Sequence, residues 1–260
     1  MGIILISLIA GVVGMGAGAI ITAVFGGRTD KMIGIFLSFA GGVMISVVLI
    51  ELLPEAMEYS NLAITVIGLI IGAFLVYILN NVMDKVSGSK PEKSKVHNTY
   101  EEFFHATDVI ARKKSLMRSG MVLLFAIGLH NIPEGLAIGA AGHHDISLGL
   151  TLAIVIGFHN LPEGMAVAAP LIGGGLSRLK TVGLVMLIGT TTVIGTIFGV
   201  LVGGISYTAL ALCFAAAGGA MLYVVFGEIL PQAILMNKDR LPTAYAFAGI
   251  IVGLLIIEIF

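Results

Sequence analysis

Eight apolar stretches divide this chain of 260 residues, each about long enough to cross the hydrocarbon layer of a membrane. At 1.5 Å per residue, a helix needs roughly 20 residues to span ~30 Å of lipid. Hydrophobic residues make up 58% of the chain and charged residues only 11%, which excludes a soluble globular protein. The expected fold is an all-α, polytopic membrane protein with one transmembrane domain over residues 1–260. We predict its helices near residues 2–25, 32–53, 62–83, 119–141, 146–172, 181–203, 206–230 and 243–259.

The basic residues indicate how these helices are oriented. All 14 lysines and arginines lie in the first, third, fifth and seventh connections between the predicted helices. Because cytoplasmic loops carry the excess of lysine and arginine, we expect both termini outside and the odd-numbered loops inside a plasma or inner membrane. The third connection is a long cytoplasmic loop, 84–118. The first helix starts at Met1 without a basic segment, so we expect a retained span. A net charge of −1 provides no basic surface for nucleic acid.

Two nearly identical polar phrases interrupt the fourth and fifth predicted helices. They are His130-Asn131-Ile132-Pro133-Glu134-Gly135 and His159-Asn160-Leu161-Pro162-Glu163-Gly164. Residues four apart share a helix face, so the histidine and glutamate of each phrase converge on one point. Ionisable groups inside a membrane are costly unless they have partners, and two copies therefore indicate a functional site rather than helix packing alone. Two such helices offer enough ligands for one or two ions.

The donor atoms of the two phrases indicate which ions they bind. Imidazole and oxygen ligands without thiolates favour Zn²⁺, Fe²⁺, Mn²⁺, Co²⁺ or Cd²⁺ over Cu⁺ and over cations that prefer oxygen alone. The one cysteine, Cys213, lies in an apolar stretch and provides neither a disulfide framework nor a thiolate cluster. The sequence has no ATP-binding motif. We expect a divalent metal as substrate and no organic cofactor.

A second internal similarity relates the second and seventh helices. Residues 40–56, AGGVMISVVLIELLPEA, match residues 217–233, AGGAMLYVVFGEILPQA, at a constant offset of 177. The two helices cross the membrane in opposite directions, which predicts an inverted repeat of helices 1–3 with helices 6–8, and helices 4 and 5 paired at the centre. Inverted repeats are typical of secondary transporters, whose binding sites lie near the midplane. This organisation predicts a transporter with the two phrases as its site.

Acidic residues at the ends of the repeated helices are candidates for a gate or vestibule. Glu51 and Glu55 fall near the external end of helix 2, and Glu228 matches Glu51 near the internal end of helix 7. Carboxylates there would attract cations at opposite mouths. Candidates for auxiliary metal binding are four histidines, His97 and His105 in the cytoplasmic loop and His143 and His144 in an external turn. A solvated loop and an ordinary polar turn are the alternatives at these two places.

The two phrases, the eight spans and the long third loop resemble the ZIP (Zrt-, Irt-like protein) metal transporters, in particular the prokaryotic GufA-type and related branch. The resemblance covers essentially the whole chain. It implies a homodimer that imports a divalent transition metal into the cytoplasm, with zinc expected first and iron, manganese, cobalt and cadmium as alternatives. Met44 matches a position from which some members add a thioether ligand, and flexible packing is the alternative. Carried over residue by residue, the other metal ligands are His130, Asn131, Glu134, His159, Asn160 and Glu163.

One position departs from the family pattern. Many members have a glutamate in helix 6 where this chain has Thr192. Two dications facing only two glutamates would leave a surplus of positive charge in a low-dielectric place, so we expect one tight site and at most a weak second one. An intramembrane metal-dependent hydrolase with a glutamate as general base would use the same ligands. The symmetric ligand pair and the lack of a His-Glu-x-x-His phrase favour a transporter over this enzyme.

Overall fold

Helices make up nearly all of the structure, a computed structural model that describes residues 2–25, 29–86, 109–202, 206–237 and 239–259. Within these ranges there is no strand, and eight helices are long and apolar enough to cross a membrane. The all-α, eight-span prediction is confirmed, and the chain is a multi-pass membrane protein. The helices are α1 Gly2–Phe25, α2 Asp30–Tyr59, α3 Leu62–Val86, α4 Val109–His144, α5 Ile146–Gly173, α6 Arg178–Val202, α7 Tyr207–Met236 and α8 Leu241–Ile259.

Helices α2 and α7 both continue past a proline, about six residues beyond their predicted ends. A proline removes a backbone donor and its ring crowds the preceding turn, which often ends a helix. Here a π-helical segment comes just before each proline, Val48–Leu52 before Pro54 and Val225–Ile229 before Pro231. The wider turn is a usual accompaniment of such an interruption, so the helix bends and goes on. The two segments are again 177 residues apart.

The eight helices pack as two groups of four. In the first group α4 and α5 lie against each other, α1 packs on α5, and α6 packs on α4. In the second group α8 packs on α2, and α3 packs on α7. Contacts of α2 with α5 and of α7 with α4 join the two groups. Helices that the repeat relates therefore have corresponding neighbours.

Glycines allow the closest of these helix contacts. A side chain at Gly42 would collide with the backbone carbonyl of Ala246 in α8, and one at Gly219 would collide with that of Leu69 in α3. The two glycines are 177 residues apart, so the α2–α8 and α7–α3 contacts are built alike. Small residues serve this purpose in membranes because lipid provides no hydrophobic force that drives helices together.

Helices α4 and α5 lie inside the bundle. Within their most apolar 18 residues, 67% and 72% of the positions are buried, against 22% in α3 and 17% in α8. Both polar phrases therefore lie on well-covered helices, away from lipid.

The predicted cytoplasmic loop 84–118 overlaps the ends of two helices. Helix α3 continues to Val86, and α4 begins at Val109, within the predicted loop. The candidate ligands His97 and His105 lie outside the described residues. The loop and its possible metal site stay predictions.

Candidate metal site

The two polar phrases form matching faces of α4 and α5. In each phrase the histidine, the asparagine and the glutamate are buried, whereas the preceding residue, Leu129 or Phe158, is exposed on the outside of the bundle. Each proline, Pro133 or Pro162, remains inside its helix. The spacing of four residues places the histidine and the glutamate on one face. The structure thus brings all six ligands of the two phrases to the interior.

Each histidine contacts the glutamate of the other phrase. Nε2 of His130 lies 2.9 Å from Oε1 of Glu163, and Nε2 of His159 lies 3.1 Å from Oε1 of Glu134. Within α4, the same nitrogen of His130 is 3.9 Å from Oε1 of Glu134. All four residues are at most 2% exposed. A reciprocal pair of polar contacts therefore joins α4 and α5.

These atoms are spaced as the ligands of one ion. One donor atom from each of His130, Glu134 and Glu163 lies within 4.8 Å of the other two. Four ligands arranged tetrahedrally around a zinc ion would be ~3.3 Å apart, which is close to the two histidine–glutamate distances. Two carboxylates also balance the charge of one dication. Across the described part of the chain, this is the one group of three or more such side chains with that spacing.

Both asparagine amides are anchored on α1. The amide nitrogen of Asn160 donates to the carbonyl oxygen of Ala10 at 3.1 Å, and that of Asn131 donates to the thioether sulfur of Met15 at 3.3 Å. Each amide oxygen is buried without a hydrogen-bond partner, and so is the second oxygen of each site glutamate. Buried acceptors are costly unless an ion or a water takes them up. These free oxygens are suited to a bound cation.

Sequence reasoning gave α1 no part in this site. The available signal was its set of closely spaced glycines, which we attributed to packing. A side chain at Gly18 would collide with the carbonyl of Leu161, and one at Gly14 would come within 2.6 Å of the carbonyl of Gly157. Helix α1 therefore lies directly on α5 beside the second phrase, close enough to hold ligand side chains.

Thr192 lies where many family members have a glutamate. It is fully buried, and its hydroxyl has no hydrogen-bond partner. The preceding Thr190 and Thr191 donate to carbonyls of their own helix, those of Leu187 and Ile188. Because Thr192 adds no negative charge, the two glutamates still face one dication. One tight site per chain stays a prediction, and this arrangement favours it.

Two further candidates lie on α2. Glu51 is in the π-helical segment, half-buried, with one carboxylate oxygen unpaired and within electrostatic range of Glu134 and His159. Met44 lies two turns earlier and is buried in the hydrophobic core. This environment suits the packing alternative for Met44, whose role as a ligand stays a prediction. Glu51 lies closer to the site than a residue of an outer vestibule was expected to lie.

The other two acidic candidates have protein partners. The carboxylate of Glu55 hydrogen-bonds with the side chain of Tyr59, one turn further along α2. The carboxylate of Glu228 accepts a hydrogen bond from Ser119 at 3.0 Å and forms an ion pair with Arg118 at 3.8 Å. Glu228 thereby ties α7 to α4. A role of either residue in a gate stays a prediction.

The external candidates lie at the turn between α4 and α5. His143 is exposed, and the side chain of His144 falls outside the part of the chain that the structure describes. Asp145 caps α5, because its carboxylate accepts the backbone N–H of Ser147 at 2.8 Å. Such a cap satisfies a free donor of the first helical turn, which fits the alternative of an ordinary polar turn. Auxiliary metal binding here stays a prediction.

Comparisons with known proteins cover both phrases and nearly the whole chain. The family model described as ZIP Zinc transporter matches residues 92–260. Relatives from Chlorobium chlorochromatii, Chlorobaculum parvum and Corynebacterium glutamicum, each named Zinc transporter ZupT, are 34%, 33% and 34% identical to this chain. The alignments cover 94%, 98% and 94% of this chain and 91%, 94% and 92% of the relatives. Since these matches include every helix that builds the site, the chain belongs to the ZIP family of zinc transporters.

Proposed function

We propose that the protein imports a divalent transition metal, zinc in the first place, into the cytoplasm through the site between α4 and α5. One observation carries this proposal: two reciprocal histidine–glutamate pairs are buried between membrane helices, with donor atoms spaced for one ion. The relatives named zinc transporters support the choice of metal. Iron, manganese, cobalt and cadmium are further candidates because the donors are imidazole and oxygen. The metal is the substrate, and the protein acts as a transporter rather than as an enzyme.

The depth of the site supports transport rather than surface binding. His130 lies 12 residues along α4 from Arg118, which corresponds to about 18 Å at 1.5 Å per residue. That distance is near the middle of a ~30 Å hydrocarbon layer. Polar and ionisable residues at such a depth are typical of ion pathways. A metal bound there has to cross part of the membrane from either side.

The distribution of basic residues supports import. We place both termini outside and the odd-numbered loops, including 84–118, in the cytoplasm of a plasma or inner membrane. Helix α2 then runs outwards, and its acidic end attracts cations from outside. Glu228 lies near the cytoplasmic end of the route. We propose that the protein forms a homodimer, as the family resemblance implies.

Alternating access follows from an inverted repeat, which three features support. The π-helical segments of α2 and α7 are 177 residues apart, their close-packed glycines have the same offset, and their neighbours α8 and α3 correspond. In many transporters of this kind, one bundle moves against the other around a binding site. We propose that α1, α4, α5 and α6 carry the site and rock against the other four helices. The contact of Glu228 with Arg118 opens when the site faces the cytoplasm.

Metal uptake into proteoliposomes tests this proposal. The purified full-length protein is reconstituted, and initial rates are measured for Zn²⁺, Cd²⁺, Fe²⁺, Mn²⁺ and Co²⁺ against liposomes without protein. We expect saturable uptake, fastest at low concentration for Zn²⁺, and one tightly bound Zn²⁺ per chain. Tight binding of zinc without any flux would contradict transport and would favour an enzyme or a sensor.

Replacing Glu51 with glutamine should weaken the capture of metal. The carboxylate lies within electrostatic range of the site, and its removal reduces the attraction of the external route for a dication. We expect KM for zinc uptake to rise by about tenfold, in the range that electrostatic focusing contributes, with a smaller fall in maximal rate. Glu58→Gln, an exposed change one turn beyond Glu55 on α2, is the matched control. An unchanged KM in Glu51→Gln would remove Glu51 from the route.

A further inference from the structure

The two site asparagines are oriented by different kinds of acceptor. The amide of Asn160 donates to a backbone carbonyl, that of Ala10, which every side chain at position 10 would preserve. The amide of Asn131 donates to a side chain, the thioether of Met15. A carbonyl oxygen and a thioether sulfur both accept hydrogen bonds and donate none. Each contact therefore selects the amide nitrogen and leaves the amide oxygen for another partner.

Met15 is held firmly in place beside the site. It is fully buried, and its backbone carbonyl lies so close to α5 that any side chain at Gly164 would collide with it. The relation of α6 to α4 is the same, since a side chain at Gly135 would collide with the carbonyl of Thr192. Met15 on α1 is thus the counterpart of Thr192 on α6, the position at which many family members have a metal-binding glutamate.

We propose that Met15 is a positioning residue for the metal site: its sulfur holds the amide nitrogen of Asn131 so that the amide oxygen is presented to the metal. This inference rests on the proposed function. Groups that orient a metal ligand generally contribute to affinity although they do not touch the metal. Without the sulfur, the buried N–H of Asn131 loses its acceptor, and the amide gains a reason to rotate its oxygen away.

Zinc binding by the purified full-length protein in detergent tests this role. Met15→Leu conserves the volume of the side chain and removes the acceptor. We expect zinc affinity to fall by about tenfold, the lower end of the range for groups that orient ligands, because a thioether is a weak acceptor. Met15→Gln, which restores an acceptor oxygen, should recover part of the loss. Met57→Leu, an exposed methionine of α2, is the matched control and should bind as the wild type.

A double-mutant cycle separates positioning from packing and from direct ligation. In an Asn131→Ala background, Met15→Leu should cause no further loss, because no amide remains to be held. An additional tenfold loss there, or wild-type affinity in Met15→Leu alone, would overturn the inference. Cadmium affinity should fall by the same factor as zinc affinity. A much larger loss for cadmium would overturn it in favour of sulfur as a direct ligand, since thioethers prefer soft ions.

The same measurements distinguish this inference from the proposed function. Glu134→Gln removes a charge of the site itself and should abolish tight zinc binding. If Glu134→Gln loses binding and Met15→Leu does not, only the role of Met15 fails. If the wild-type protein binds no zinc, or if Glu134→Gln binds it as the wild type does, both proposals fail.

Discussion

Replacing Glu134 with alanine is expected to reduce zinc uptake to the level of liposomes without protein. The change removes one of two site carboxylates and leaves His159 without the partner that it has at 3.1 Å. Breaking a buried charge pair costs about 3–5 kcal/mol, which corresponds to a loss of roughly a hundredfold to a few thousandfold in affinity. A dication facing one remaining carboxylate in a low-dielectric interior also keeps an unbalanced charge. Initial uptake rates at equal amounts of reconstituted protein measure this effect.

Two variants separate the loss of the site from the loss of the fold. Glu134→Gln keeps the size of the side chain and removes its charge, so it should lose uptake and still elute as a single species from a sizing column. Glu258→Ala removes an exposed glutamate at the end of α8 and should transport as the wild type. Glu163→Ala should lose as much as Glu134→Ala because it removes the matching carboxylate. Uptake at the wild-type rate in Glu134→Ala would contradict the site assignment.

The eight spans were predictable because they depend on local rules. A helix in lipid satisfies its backbone within itself, so length and hydropathy suffice to find it. The inward face of each phrase follows from the same kind of rule, since His130 and Glu134 are four residues apart in any helix. What these rules left open was where a helix ends. Pro54 and Pro231 indicated an end, and only the three-dimensional path shows that a π-helical turn carries α2 and α7 onward.

The partners of the site residues were not predictable, because they lie far away in the sequence. Asn131 is 116 residues from Met15, and Asn160 is 150 residues from Ala10. No periodicity relates α1 to these positions. The glycines of α1 indicated that a helix approaches closely, but not which one. The contact depends on the packing of α1 against α5, which is a property of the assembled bundle.

Glu228 illustrates the same limit for the proposed gate. Its match with Glu51 predicted two equivalent acidic positions at opposite mouths. The structure instead places Glu228 against Arg118 and Ser119 of α4, whereas Glu51 keeps an unpaired oxygen near the site. A sequence repeat relates residues to one another, but it does not give their neighbours. The two members of the pair therefore have different surroundings despite their equivalent places in the repeat.

Replacing Gly164 with alanine is expected to abolish zinc binding and uptake together. A methyl group at this position would collide with the backbone carbonyl of Met15, which has no rotamer into which it can move aside. Helices α1 and α5 would have to separate. Overpacking of a well-packed interior costs typically about 1–3 kcal/mol. The shift occurs next to Glu163 and at the residue that holds Asn131, so the ligands on both helices lose their relative positions. Zinc affinity, uptake and thermal stability in detergent measure the effect.

The matched control is the same chemical change at Gly183, on the exposed face of α6. An added methyl group there meets no atom within 4 Å, and alanine favours a helix over glycine by about 0.5–1 kcal/mol. Gly183→Ala should therefore be as stable as the wild type or more stable, and it should bind and transport zinc normally. The two variants differ only in what faces the new methyl group. If Gly164→Ala behaved as Gly183→Ala does, the close approach of α1 to α5 would not be required for the site, and the role of α1 in orienting the ligands would be wrong.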